Sequence, residues 1–87
     1  MRVTLISPDR SVYDGEASAV VVPAYDGLVG ILPGHAPFLA LLGRGEVTLT
    51  HPGGTGRFTV DGGFVQVAGD VVRVVAERAD ETIKEAV

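Results

Sequence analysis

The 87-residue chain has no cysteine, no tryptophan, a single methionine at its first position and only two histidines. Without thiols there can be no disulfide staple, no thiolate metal ligand and no cysteine nucleophile, and the composition suits a reducing compartment. The histidines, His35 and His51, stand too far apart for ligand spacing on one turn or hairpin, so no metal and no cofactor is expected. Basic residues are also scarce: seven Lys and Arg face eleven Asp and Glu, for a net charge of −4. They are scattered, and the clustered cationic footprint that phosphate contact requires is missing, which excludes a nucleic-acid-binding role. No apolar run approaches the ~18 residues of a membrane span. The apolar stretch before Pro8 is too short for a secretion signal.

What is present favours strands. Eighty-seven residues make one domain, which buries only about 60–65% of the surface its unfolded form exposes. There is little room for a large substrate pocket. Hydrophobic residues make up 46% of the chain, with β-branched valine the commonest residue. Twelve glycines and five prolines fall between the apolar runs as punctuation.

Arg2 to Ile6 alternates with Val3 and Leu5 on one face, and Ser7-Pro8-Asp9-Arg10 reads as a turn. Extended structure resumes at Ser11, breaks at Asp14-Gly15 and continues from Glu16 to Val22, where Ala19 to Val22 is apolar enough for burial on both faces. Phe38 to Leu42 is a short apolar run that periodicity alone does not assign to helix or strand, although five residues ended by Gly43 suit a strand better. Glu46 to His51, with Val47 and Leu49 inward, forms a hairpin with Arg57 to Asp61 across Pro52-Gly53-Gly54-Thr55-Gly56. Gly62-Gly63 is read as a structural turn, Gly69-Asp70 as another, and Val72, Val74 and Ala76 share a face of the last strand. The sum is an all-β sandwich or flattened barrel over residues 1–78. An acidic tail, residues 79–87, is short and helical or disordered, with Asp80 as its N-cap.

The densest segment is residues 22–37. Tyr25-Asp26-Gly27 supplies a hairpin turn with Gly27 at positive φ, and Pro33-Gly34 has the order of a type II turn. Leu28, Val29, Ile31 and Leu32 lie beside turn positions where polar side chains are usual, which points to a protein partner.

A hydrolase reading would pair His35 with Asp26 or Asp61 and a serine among Ser7, Ser11 and Ser18. No nucleophile elbow supports it, and proline-flanked His35 fits better as a turn support through a ring-nitrogen hydrogen bond. His51 opens a glycine-rich hairpin loop and reads as a loop residue. The Gly53–Gly56 loop lacks the Gly-Lys-Ser/Thr ending and the following helix of a phosphate cradle. A free-standing ligand-binding sandwich that takes a small anion there is the alternative to a protein-binding role.

The run Val22-Pro23-Ala24-Tyr25-Asp26-Gly27, then Gly30-Ile31-Leu32-Pro33-Gly34-His35-Ala36-Pro37, resembles the N-terminal domain of the epsilon subunit of F-type ATP synthases. The likeness extends through Leu41 to Glu46, Gly62-Gly63-Phe64 and Ala76-Glu77-Arg78-Ala79. It implies a ten-stranded β-sandwich in the central stalk, a non-catalytic rotor part that joins the gamma subunit to the c-ring and couples proton transport to ATP synthesis. By that resemblance the loop Tyr25, Asp26, Gly27 and Leu28 faces the c-ring, Ser7, His35 and Ala40 lie on the gamma-facing side, and the complex sits peripherally on the cytoplasmic face of the bacterial inner membrane. Family members often carry an acidic residue where this chain has Leu28, so an apolar ring contact is the expected substitute. Most bacterial members continue into a C-terminal helical hairpin associated with inhibition and ATP binding. With the sequence ending at Val87, neither property is expected here.

Overall fold

The computed structural model describes residues 1–82 and consists of eight strands: β1 (Arg2–Ser7), β2 (Arg10–Glu16), β3 (Ala19–Ala24), β4 (Gly27–Ile31), β5 (Phe38–Leu41), β6 (Arg44–His51), β7 (Gly54–Ala68) and β8 (Val71–Glu81). They hydrogen-bond in the order β2-β1-β8-β7-β6-β3-β4, with β5 beside β7. The sheet is open, with β2 and β4 as edges, so it is a sandwich and not a closed barrel.

Two layers arise because β7 and β8 are long and bend. The first half of β7 pairs with β6, from His51↔Gly54 to Arg44↔Asp61, and its second half pairs with β5, from Leu41↔Phe64 to Phe38↔Val67. The start of β8 lies between β1 and the second half of β7, and its end lies along the first half of β7. One layer is therefore β2-β1-β8-β7-β5, and the other is β8-β7-β6-β3-β4. Dividing β7 and β8 at the bend turns the eight continuous strands into the ten expected.

Gly62 and Gly63, expected as a turn, are the hinge of this bend inside β7. Both have positive φ, 74° and 110°. A Cβ on Gly63 would collide with the Val75 carbonyl oxygen and lie 2.8 Å from Ala76 Cα, so only glycine lets the two bent strands cross this closely. The register is the same on both sides of the bend, Asp61↔Arg78 and then Gly63↔Ala76, so the strand turns a corner without losing its pairing. Opposite, Leu42-Gly43 separates β5 from β6. Leu42 N–H donates to the Gly63 carbonyl (2.9 Å) and Gly43 N–H to the Pro23 carbonyl (2.8 Å).

Alternation holds where it was expected. Val3 and Leu5, Val47 and Leu49, and Val72, Val74 and Ala76 are all buried between the layers with Val20, Val22, Val60, Val65 and Phe58. Three expectations change. β2 runs unbroken through Asp14-Gly15, because the Tyr13 ring lies over Gly15 and its hydroxyl donates to the Glu16 carbonyl (2.8 Å). The run from Glu16 to Val22 is interrupted at Ala17-Ser18, where Ser18 N–H turns to the Thr50 carbonyl (2.8 Å), and Val21 is only half-buried beside buried Val20 and Val22. At the far end β8 carries on past residue 78. Asp80 pairs with Thr59 as strand and not as a helix cap, and Thr82 N–H donates to the Arg57 carbonyl (2.8 Å). The expected helical tail beyond Thr82 lies outside the described residues.

Candidate interaction surfaces

The β3–β4 hairpin carries the first surface. Val20↔Ile31 through Ala24↔Gly27 pair without a break, and the chain reverses at Tyr25-Asp26 with Gly27 at φ 141°, a conformation open to glycine. Tyr25 N–H donates to the Leu41 carbonyl (2.8 Å), which fixes the hairpin base against the β5–β6 joint. Tyr25 is 79% exposed and Leu28 74%, and Asp26 and Gly27 are exposed between them. Not all of the apolar segment projects: Ile31 is core and Val29 is half-buried against it, because alternation turns these two inward and Leu28 outward.

Pro33-Gly34 makes the second turn of the segment, with His35 N–H donating to the Leu32 carbonyl (3.1 Å) and Gly34 at φ 86°, as a type II turn requires. His35 is half-exposed. Its Nδ1 donates to the Ala36 carbonyl (2.7 Å) and its ring meets Phe38 edge-on, with centroids 5.7 Å apart. The ring hydrogen bond is local, as expected, but it is made to the residue after the turn, and neither Asp26 nor Asp61 hydrogen-bonds to His35. Ser7 is equally local, its hydroxyl donating to Asp9 (2.9 Å) to close the β1–β2 turn. His51 Nδ1 accepts from Gly53 N–H (3.1 Å) within its own hairpin turn.

Ala40 is half-buried and packs against the core with Phe38, so on β5 its neighbours Leu39 and Leu41 are the residues that face out. They are 67% and 64% exposed. The pairing continues the outward row from Leu41 through Phe64 and Val75 to Ile6, and the row from Leu39 through Gln66 and Arg73 to Thr4. Leu39, Ala40, Leu41 and Phe64 line one shallow depression. Sequence reasoning saw the apolar run of residues 38–42 without assigning its faces. The missed signal is that a short strand with apolar residues at both parities must expose one of the two sets.

The structure thus places Tyr25, Asp26, Gly27 and Leu28 together, but does not gather Ser7, His35 and Ala40 into one cluster. Among the described residues there is no cluster of metal-ligating side chains, no unpartnered buried side-chain polar atom and no helix long and apolar enough to cross a membrane.

Comparison with known proteins agrees with this architecture. The family model for the "ATP synthase, Delta/Epsilon chain, beta-sandwich domain" matches residues 1–82. An ATP synthase epsilon chain from Streptomyces griseus is 43% identical over 81 residues, 92% of this chain and 65% of the relative. The Frankia casuarinae epsilon chain is 41% identical over 83 residues, 94% of this chain and 98% of the relative. This chain therefore spans about two thirds of some curated relatives and nearly all of others. Among solved structures, a chain of the Euglena gracilis mitochondrial ATP synthase, solved as OSCP, F1 and c-ring, superposes with a TM-score of 0.83 at 26% identity, covering 91% of this chain and 51% of that one. A chain of the Tetrahymena thermophila mitochondrial ATP synthase central stalk and c-ring shares the fold, with a TM-score of 0.77 at 18% identity over 92% of this chain and 65% of that one. The chain belongs to the family of ATP synthase delta/epsilon chain β-sandwich domains.

Proposed function

We propose that this chain is a non-catalytic rotor part of an F-type ATP synthase, seated in the central stalk where it joins the gamma subunit to the c-ring and passes rotation between them. The observation that carries this reading is the presence of two separate exposed apolar surfaces on one small sandwich, the Tyr25-Leu28 hairpin and the outward face around Leu39, Leu41 and Phe64. The solved assembly of the Euglena relative includes F1 and the c-ring, which supports a place between those parts. The hairpin is the ring-facing surface. The face around Leu39, Leu41 and Phe64, with Ser7 and His35 at neighbouring turns and Ala40 beneath, is the gamma-facing one. A stable gamma contact would cover about 800 Å² on each partner. Such a subunit works as a peripheral part of the complex on the cytoplasmic face of a bacterial membrane.

The shape suits the task mechanically. Cross-strand hydrogen bonds run through one continuous sheet of eight strands, so torque applied at one surface reaches the other without crossing a flexible linker. Co-purification with the cognate gamma subunit tests the reading: a stoichiometric complex is expected, and its absence would overturn it. Leu28→Asp should weaken attachment of the soluble sector to the ring while the unfolding midpoint stays in place. Unchanged attachment would remove the hairpin from the ring contact.

A further inference from the structure

The four sheet edges are not equally protected. β2 carries Arg10, Asp14 and Glu16, and its pairing with β1 is irregular at Leu5/Ile6. β5 is only four residues long and follows Pro37. The end of β8, where it borders the second layer, reads Glu77-Arg78-Ala79-Asp80-Glu81, with Arg10 paired to Asp80 at 3.5 Å. Charges, short length and irregular pairing are how sheets avoid unwanted strand addition. β4 has none of them. Its residues are Gly27-Leu28-Val29-Gly30-Ile31, without charge or proline, paired in unbroken register with β3 on one side and, among the described residues, open on the other.

We propose that the free chain pairs with a second copy of itself through this edge, antiparallel, with Val29 on the two-fold axis. Self-pairing in that register sets Leu28 opposite Gly30 of the other copy on the outward face. Gly30 has an ordinary φ and open space where a side chain would be, so it can receive the exposed leucine. The charges at the edge itself do not oppose a like partner. Nothing between Gly27 and Pro33 is ionised, so joining the edges opposes no like charges. Asp26 meets Leu32 of the other copy, and the two Asp26 side chains stay about 20 Å apart along the strands, beyond a Debye length at physiological salt. An isologous contact of this kind is closed at two copies. It is small, in the class of weak, transient contacts. Because each copy carries a net charge of −4, salt should strengthen it by screening the remaining repulsion.

Sedimentation equilibrium of the 87-residue chain over a wide concentration range, at low and high salt, tests this. A reversible monomer–dimer equilibrium is expected, tighter at high salt. Gly30→Lys should weaken it at least tenfold, since it fills the leucine's space and sets two lysines diagonally opposite on one face, about 8 Å apart at the backbone. It also lowers the net negative charge, so a general charge effect would act the other way. Leu28→Lys should act similarly, and Leu41→Asp should leave the equilibrium unchanged at high salt, where its added charge is screened. Unfolding midpoints establish that the variants are folded. A chain that stays monomeric at all concentrations, a dimer indifferent to both lysine variants, or a dimer lost with Leu41→Asp would overturn the proposal. The rotor reading is judged separately, by gamma co-purification.

Discussion

The outward faces of the two layers are built from the same kind of strand and finished differently. On the β7-β6-β3 layer the face carries Glu46 paired with Arg57 at 3.3 Å, Arg44 with Asp61 at 3.4 Å, and Thr48, Thr50 and Thr59. The other layer presents Leu39, Leu41, Phe64, Val75 and Ile6 at equivalent outward positions, beside the more polar row of Gln66, Arg73 and Thr4. A sheet face that only meets water is finished like the first, because polar side chains there cost no desolvation. The second face is where this small sandwich gives up that arrangement, and the gamma contact proposed above would supply a physical reason for a contiguous apolar patch to persist.

The comparison is easiest to break at the corner that makes two layers out of one sheet. Gly63→Val should have the largest effect, at least about 3 kcal/mol of destabilisation or outright failure to fold, since a side chain there meets the Val75 carbonyl at a positive φ. Urea denaturation measures it. Both faces depend on the core they share, so Leu49→Ala should follow with about 2–5 kcal/mol. If it cost no more than a surface change, the buried seam between the layers would be misassigned. The faces themselves should respond little in stability. Glu46→Ala breaks an ion pair with both side chains partly exposed and should cost at most about 1 kcal/mol. Leu41→Asp should stay within about 0.5 kcal/mol of the parent, and a larger loss would mean that Leu41 packs as core.

Much of this arrangement could be read from the residues. Valine and leucine at alternate positions assigned the inward sides of β1, β6 and β8, and Pro8-Asp9, Pro33-Gly34 and Pro52-Gly53 marked true reversals, because proline and glycine act through local backbone geometry. Gly62-Gly63 could not be distinguished from a turn. A glycine pair gives the same local signal whether the chain reverses or bends, and only the close crossing of β8 decides between them. The long-range pairings were equally hidden: β1 lies parallel to β8 from Arg2↔Val71 to Ile6↔Val75, a contact no local pattern encodes. Of the candidate residues, the hairpin Tyr25 to Leu28 was legible because turn chemistry exposes what it flanks. The apolar face was not, since it is assembled from β5, β7, β8 and β1. His35 and Ser7 were read as surface contacts from resemblance, and their hydrogen bonds are spent on their own turns.

The most direct measurement is calorimetric binding of the cognate gamma subunit to three folded proteins: the parent chain, Leu41→Asp, and Thr48→Asp on the opposite face. The account predicts that Leu41→Asp weakens binding at least tenfold while Thr48→Asp leaves it unchanged. Equal affinity for all three, or a loss confined to Thr48→Asp, would contradict it.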